Sequence, residues 1–276
     1  MDVTIWGARG TFPSPRKDAV RYGGHTCCLS LRGAAGEYIV VDSGTGIRDL
    51  GERIMAEAGE AGSGPVRVHL LLTHFHLDHV MGFPYFQPLY SPHATVFVYA
   101  PAEPEETRKR LAGLMANGYF PVGLDETRST KVFLKCEPGL AIGGVAVSSC
   151  PLVHPQGSVA YRLERGGRSV VSATDTEHPK KGIDDRLAAL AGGATRLVYD
   201  AMFTPEEYAA AKKGWGHSTW LAGTELAAAA RVGGLVLSHH SPDTSDDMVD
   251  RILAAARRRF PRTEAARQGL TWDLSA

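Results

Sequence analysis

The sequence predicts an α/β domain in which β-sheets pack on one another and helices cover the outside. Three observations predict it. Short runs rich in Val, Ile, Leu and Tyr alternate with Ala-rich helical stretches, and Gly and Pro punctuate the junctions. No repeat, low-complexity linker or shift in composition marks a boundary, so residues 1–276 read as one domain. A chain of 276 residues that is 43% hydrophobic has enough apolar surface for a sizeable core.

In chain order, "VTIWG", "TCCLSLR" and "EYIVVDSG" have the β-branched and aromatic content of strands. "IRDLGERIMAEAG" places Ile47, Leu50, Ile54 and Met55 on one helical face. "VRVHLLLTH" is a strand apolar on both sides, and "ATVFVYA", "KVFLKC", "AIGGVAVSSC", "SVAYRLERG", "RSVVSATD" and "TRLVYDA" continue the series. "TWLAGTELAAAARVG" and "DTSDDMVDRILAAARRRF" are helices, the second with Asp243 or Thr244 as its N-cap. "GLTWDL" returns as a last strand.

Bulk properties narrow the function. Thirty basic and thirty acidic residues give zero formal charge, which argues against long nucleic acid as the main partner but not against a small anion. Cys27, Cys28, Cys136 and Cys150 have no CxxC spacing and read as free thiols of a reducing compartment. The start "MDVTIWGARG" lacks the basic and apolar regions of a signal peptide, and no apolar run is long enough for a bilayer. The expected location is cytoplasmic.

The chemistry is concentrated in "LLLTHFHLDHVMGFP", residues 70–84. In an extended strand end, His74, His76 and Asp78 share one side while Phe75 and Leu77 take the other. A bend at Gly82 and Pro84 lets His79 join them. Imidazoles and a carboxylate converging on one point suit zinc or a similar first-row ion. Further candidates stand at the ends of later apolar strands: His154 in "VSSCPLVHP", Asp175 in "RSVVSATD", and His239 and His240 in "GGLVLSHHSPD".

The series H-x-H-x-D-H, then His, Asp and a His after "LVLS", resembles the metallo-β-lactamase fold superfamily over nearly the whole chain. The resemblance implies an αββα sandwich of two mixed sheets flanked by helices. It also implies two divalent ions, zinc foremost, with manganese or iron as alternatives. His74, His76 and His154 would hold one, Asp78, His79 and His239 the other, and Asp175 would bridge. His239 rather than His240 is the expected ligand because it follows "LVLS" directly.

"GWGHSTW" carries His217, Ser218 and Thr219, and "LVYDAMF" carries Asp200. Together they resemble the ribonuclease Z-like phosphodiesterase branch, in which such a His serves the leaving group. The branch usually has Glu where this chain has Asp200. The implied reaction is hydrolysis of a phosphodiester by an ion-activated water, with His217 protonating the departing oxygen, Asp200 supporting His217, and Asp78 taking the water's proton.

Only 21 positions separate His154 and Asp175, leaving no room for a long tRNA-gripping arm, so a small diester is expected, with a 3′,5′-cyclic nucleotide the single best candidate. A lactone or thiolester, or tRNA 3′ processing, are the alternatives for this site, and a non-catalytic ligand sensor is a third class. Ser218, Thr219, Phe83 and Tyr119 are candidate substrate contacts, the aromatics by stacking on a base. The aromatic segments serve equally well as packing or as a homodimer contact. Arg9, in the glycine-rich lip "GARGT", is placed either on a phosphate or at the surface. His25, His69, His93 and His178 receive no role.

Overall fold

The computed structural model describes residues 2–34, 36–60, 64–116 and 118–274. Its elements are β1 (Asp2–Gly7), β2 (Cys28–Arg32), β3 (Tyr38–Val41), α1 (Ile47–Glu60), β4 (Val66–Leu71), α2 (Leu77–Val80), β5 (Ala94–Ala100), α3 (Pro104–Leu114) and β6 (Thr130–Lys135). There follow β7 (Ala141–Ile142), β8 (Val145–Leu152), β9 (Ser158–Arg165), β10 (Arg168–Ala173), α4 (Asp185–Ala191) and β11 (Arg196–Asp200). The chain continues through α5 (Pro205–Glu207), α6 (Trp220–Ala229), β12 (Leu235–Ser238), α7 (Asp246–Arg259), β13 (Thr263–Ala265) and β14 (Thr271–Asp273).

The strands form two seven-stranded sheets, ordered β14-β1-β2-β3-β4-β5-β6 and β13-β12-β11-β10-β9-β8-β7. Both are mixed: β3 to β6 run parallel, as do β10 to β13, while the remaining pairs are antiparallel. Alternation along each strand explains the layers. Ile5, Leu29, Leu31, Ile39 and Val41 from the first sheet meet Val147, Tyr161, Leu163, Val170 and Val236 from the second. Facing outward, Val40, Val68, Leu70 and Val96 pack under Ile47, Leu50 and Ile54 of α1, and Leu111 of α3. Val171, Leu197, Leu235 and Leu237 do the same under Leu187 of α4, Leu226 of α6 and Ile252 of α7. This is an αββα sandwich.

Three local expectations need correction. "AIGGVAVSSC" is two strands, because Gly143 and Gly144, both at positive φ, turn the chain into a hairpin. The N-cap of α7 is Ser245, whose hydroxyl accepts from Met248 N–H, rather than Asp243 or Thr244. The strand before the histidine cluster ends at Leu71, so Asp78 and His79 sit on the short helix α2 instead of an extended strand end.

The parallel strands all deliver their C-terminal ends to the same edge of the sandwich. Asp42 follows β3, Thr73 and His74 follow β4, Asp175 follows β10, Asp200 ends β11 and His239 follows β12. The lip closes this edge across the two sheets, with Gly10 N–H donating to His240 O and His240 N–H to Ala8 O.

Candidate metal centre

At that edge the imidazole nitrogens and carboxylate oxygens converge. His74, His76 and His154 form one group, and Asp78, His79, Asp175 and His239 another, each with its candidate ligand atoms within 4.8 Å of one another. Asp175 lies between the groups. Its Oδ1 is 3.6 Å from His154 Nε2 and 3.9 Å from His74 Nε2. Its Oδ2 is 2.9 Å from His79 Nε2 and 3.2 Å from His239 Nε2. Asp78 Oδ2 is 3.3 Å from both His79 Nε2 and His239 Nε2.

The hydrogen bonds on the outer nitrogens set which nitrogen faces inward. His79 Nδ1 donates to Asp42 Oδ2 (2.8 Å), and Thr73, itself bonded to Asp42, receives His74 Nδ1 (3.0 Å). His76 Nε2 donates to Gln156 Oε1 (2.6 Å), and His154 Nδ1 to Gly216 O (2.8 Å). In the neutral tautomers that these bonds select, the inward nitrogens of His76 and His154 both carry lone pairs, and they face each other at 3.0 Å. Two lone pairs at that distance repel unless a cation lies beside them. Likewise His74 Nε2, His79 Nε2, His239 Nε2 and Asp175 Oδ2 are buried without a hydrogen-bond partner. Buried polar atoms are rarely left so, and here the three imidazole nitrogens gather within 3.9 Å of the Asp175 carboxylate. The donor set fits two divalent cations.

The electrostatics agree. Burial pushes His74 down to about 2, keeping it a neutral donor. Burial opposes charge on Asp175 as well, yet His239, His79 and His74 hold that carboxylate well below its usual range. For His239, burial again favours the neutral form, but Asp175, Asp78 and Asp200 outweigh it and hold the imidazole up at about 9. A concentration of buried carboxylates that draws protons onto neighbouring imidazoles suits positive charge.

His240 turns away. Its Nε2 meets Ala266 O at 3.0 Å and its ring packs edge-on to Tyr22, while His239, at a φ of 58°, faces the carboxylates. Six non-glycine residues among those described have positive φ, and five of them, Thr11, Asp42, Gln156, Asp175 and His239, belong to this edge. Such backbone costs about 1–3 kcal/mol per residue and persists where the surroundings dictate it.

His217 and Asp200 meet beside the two groups. His217 Nδ1 donates to Asp200 Oδ2 at 2.9 Å, so the shorter acid still reaches. Asp200 also accepts from the N–H groups of Asp175 (3.0 Å), Met202 (3.1 Å) and Ser218 (3.1 Å), which fixes its orientation.

The expected substrate contacts are placed as follows. Phe83 is fully buried in the core beneath α1, because its short 3₁₀ turn points Phe83 inward and Tyr85 outward. Ser218 is fully buried, its hydroxyl between His178 Nδ1 and the Tyr199 hydroxyl, both at 2.9 Å. Thr219 caps α6 through Ala222 N–H. Tyr119 stands 85% exposed after α3. Arg9 is neither on the surface nor free for a phosphate: it is fully buried, bonded to Gly23 O, Ser241 O and Thr244 O. His25 bonds Thr45 and His69 stacks on Phe97.

Sequence reasoning missed Asp42, Gln156 and Thr11, whose N–H donates to Asp78 Oδ2 (2.7 Å). Asp42 carried a usable signal, since "VVDSG" is an acid at the end of an apolar strand. The four cysteines are unpaired, and Cys27 lies beside His79 and His239 with its thiol directed at Arg9 O.

Known proteins share this arrangement of strands. A ribonuclease Z of Bradyrhizobium sp. (strain ORS 278) is 29% identical, the match covering 84% of this chain and 89% of that protein. The metallo-beta-lactamase fold protein YhfI from Bacillus subtilis superposes with a TM-score of 0.72 at 19% identity, over 99% of both chains. A diphosphatase from the PhnP family does so with a TM-score of 0.66 at 16% identity, covering 99% of this chain and 98% of that one. The family model of the beta-lactamase superfamily domain matches residues 37–240, well over half of the sequence, and the chain belongs to that superfamily.

Proposed function

We propose that the chain is a metal-dependent phosphodiesterase, and that its substrate is a small diester, with a 3′,5′-cyclic nucleotide the first to test. The observation that carries the reading is the Asp200–His217 pair standing directly beside the two donor groups, with His217 Nδ1 3.9 Å from Asp175 Oδ1. His74, His76 and His154 would hold one ion, Asp78, His79 and His239 the second, and Asp175 both. Two divalent ions, zinc foremost and manganese or iron with the same donors, neutralise an anionic ester and acidify a water when bound.

The chain's own residues supply the rest. Thr11 N–H donates to Asp78 Oδ2, which fixes that carboxylate at the cleft, and Asp78 is assigned the water's proton. Asp200 commits His217 Nδ1, which leaves Nε2 to face the departing oxygen; as the imidazolium, its charge balanced by Asp200, His217 gives that oxygen the Nε2 proton and is left neutral. An alkoxide leaves poorly unless protonated, and this is where a His–Asp pair is useful. Thiolester hydrolysis, which releases a thiolate, has less use for it.

A second reading, cleavage of RNA, has support in the name of the ribonuclease Z relative. Against it, β9 and β10 join through the tight turn Gly166–Gly167, and the formal charge is zero, so counter-ion release adds little affinity for a folded RNA. The deciding experiment compares zinc- and manganese-loaded protein on bis-p-nitrophenyl phosphate, cyclic AMP, cyclic GMP, a tRNA precursor, a lactone and a thiolester. Turnover of the small diesters above the tRNA supports the proposal. Activity on lactones or thiolesters alone overturns it.

A further inference from the structure

The loop of residues 213–217 bears His217 and the Gly216 carbonyl that orients His154. Its backbone closes around one side chain, Glu177, on the opposite wall. Glu177 Oε1 accepts from the Tyr208 hydroxyl and from Gly214 N–H, both at 2.7 Å, and Oε2 accepts from Gly216 N–H at 2.9 Å. The N–H of Glu177 in turn donates to Val153 O, next to His154. Gly214 and Gly216 both have a φ of 82°, which directs alternate N–H groups to one side, as in backbone nests that cradle an anion. Here the cradled anion is the protein's own. Gly216 has no room for a side chain, since a Cβ would lie 2.4 Å from His154 Nδ1 and 2.2 Å from Pro155 Cδ.

We infer that Glu177 is a positioning residue that sets two groups at once: His154, through the Gly216 carbonyl, and His217, one residue further on. The His217 half rests on the phosphodiesterase reading, whereas the His154 half rests on the metal-fitting donor set alone. Charge-assisted bonds from three donors lock the loop, and both carboxylate oxygens are used. Glutamine has one acceptor oxygen, so a Gln side chain turns an N–H₂ either on Gly216 N–H or on the Tyr208 and Gly214 donors. Either arrangement releases one side of the loop. Partners that orient a ligating imidazole typically govern metal affinity by about 10–100-fold.

The test compares wild type with Glu177→Gln and with Tyr208→Phe, which removes one donor to the same carboxylate. Three readouts are taken: Co²⁺ titration followed by visible absorption, limited trypsin digestion at Lys212 and Lys213, and steady-state turnover of cyclic AMP. For Glu177→Gln the inference expects Co²⁺ affinity about 10–100-fold weaker at one of two sites, with an altered absorption band. It also expects faster cleavage after Lys212 or Lys213, and a fall in kcat with little change in KM. Tyr208→Phe should move the same readouts less far in the same direction. Wild-type Co²⁺ affinity, spectrum and trypsin resistance in Glu177→Gln would overturn the inference. Should that variant not fold, the same indifference in Tyr208→Phe would overturn it. A wild-type protein inactive on all phosphodiesters would refute the functional reading while leaving the cobalt and trypsin results to decide this one.

Discussion

Replacing His217 by alanine removes the group assigned to the leaving oxygen, and its cost should depend on the ester. His217 is 9% exposed, and its Nδ1–H is committed to Asp200, a carboxylate fixed by three backbone N–H groups. The imidazolium form therefore needs no rearrangement to deliver a proton from Nε2. General acid catalysis of this kind contributes about 10²–10⁴-fold, which at 1.36 kcal/mol per tenfold is about 2.7–5.4 kcal/mol of transition-state stabilisation. On an alkyl diester such as cyclic AMP the full loss is expected. A nitrophenolate departs without a proton, so bis-p-nitrophenyl phosphate should lose only a small part of it. The assay is kcat for both substrates with zinc-loaded wild type and His217→Ala, at equal metal content by elemental analysis. Equal losses on the two substrates, or none on cyclic AMP, would refute the reasoning.

Further outcomes follow from neighbouring contacts. Asp42→Ala takes away the acceptor that orients His79, and isothermal titration with Zn²⁺ should find affinity about 10–100-fold weaker. Gly10→Ala puts a Cβ 2.2 Å from the His239 ring, so elemental analysis should find one ion per chain instead of two. Phe83→Ala, deep in the core, should cost about 3–5 kcal/mol in urea unfolding while leaving kcat of the folded fraction near wild type. A kcat loss there comparable to that of His217→Ala would restore Phe83 as a substrate contact.

The sandwich was legible because its strands are apolar on alternate or both faces and are separated by Gly and Pro. The donor cluster was legible for a related reason. His74, His76, Asp78 and His79 are contiguous, and parallel strands bring their C-terminal ends to one edge, so a polar residue ending an apolar strand is already placed. Asp42 fits that rule too and is recognisable only once its partner, His79, is known to lie across from it. Which face of a turn a residue takes was not legible. Phe83 and Tyr85 are two apart, yet one is buried and the other 58% exposed, and only packing beneath α1 decides between them. Arg9 misled for a similar reason, since two of its three carbonyl partners, Ser241 O and Thr244 O, lie more than 200 positions away. Gln156 reaches His76 from a residue at positive φ, and Glu177 acts on the positive-φ backbone of Gly214 and Gly216, geometries that no spacing of side chains announces.

The central claim is that side chains from four separate strand ends share a pair of cations across one carboxylate. Crystals grown with zinc and recorded at the zinc absorption edge test it directly. The account predicts two anomalous peaks, one among His74, His76 and His154, the other among Asp78, His79 and His239, each beside its own oxygen of Asp175. Peaks elsewhere, or none with these side chains in zinc-saturated crystals, would contradict it.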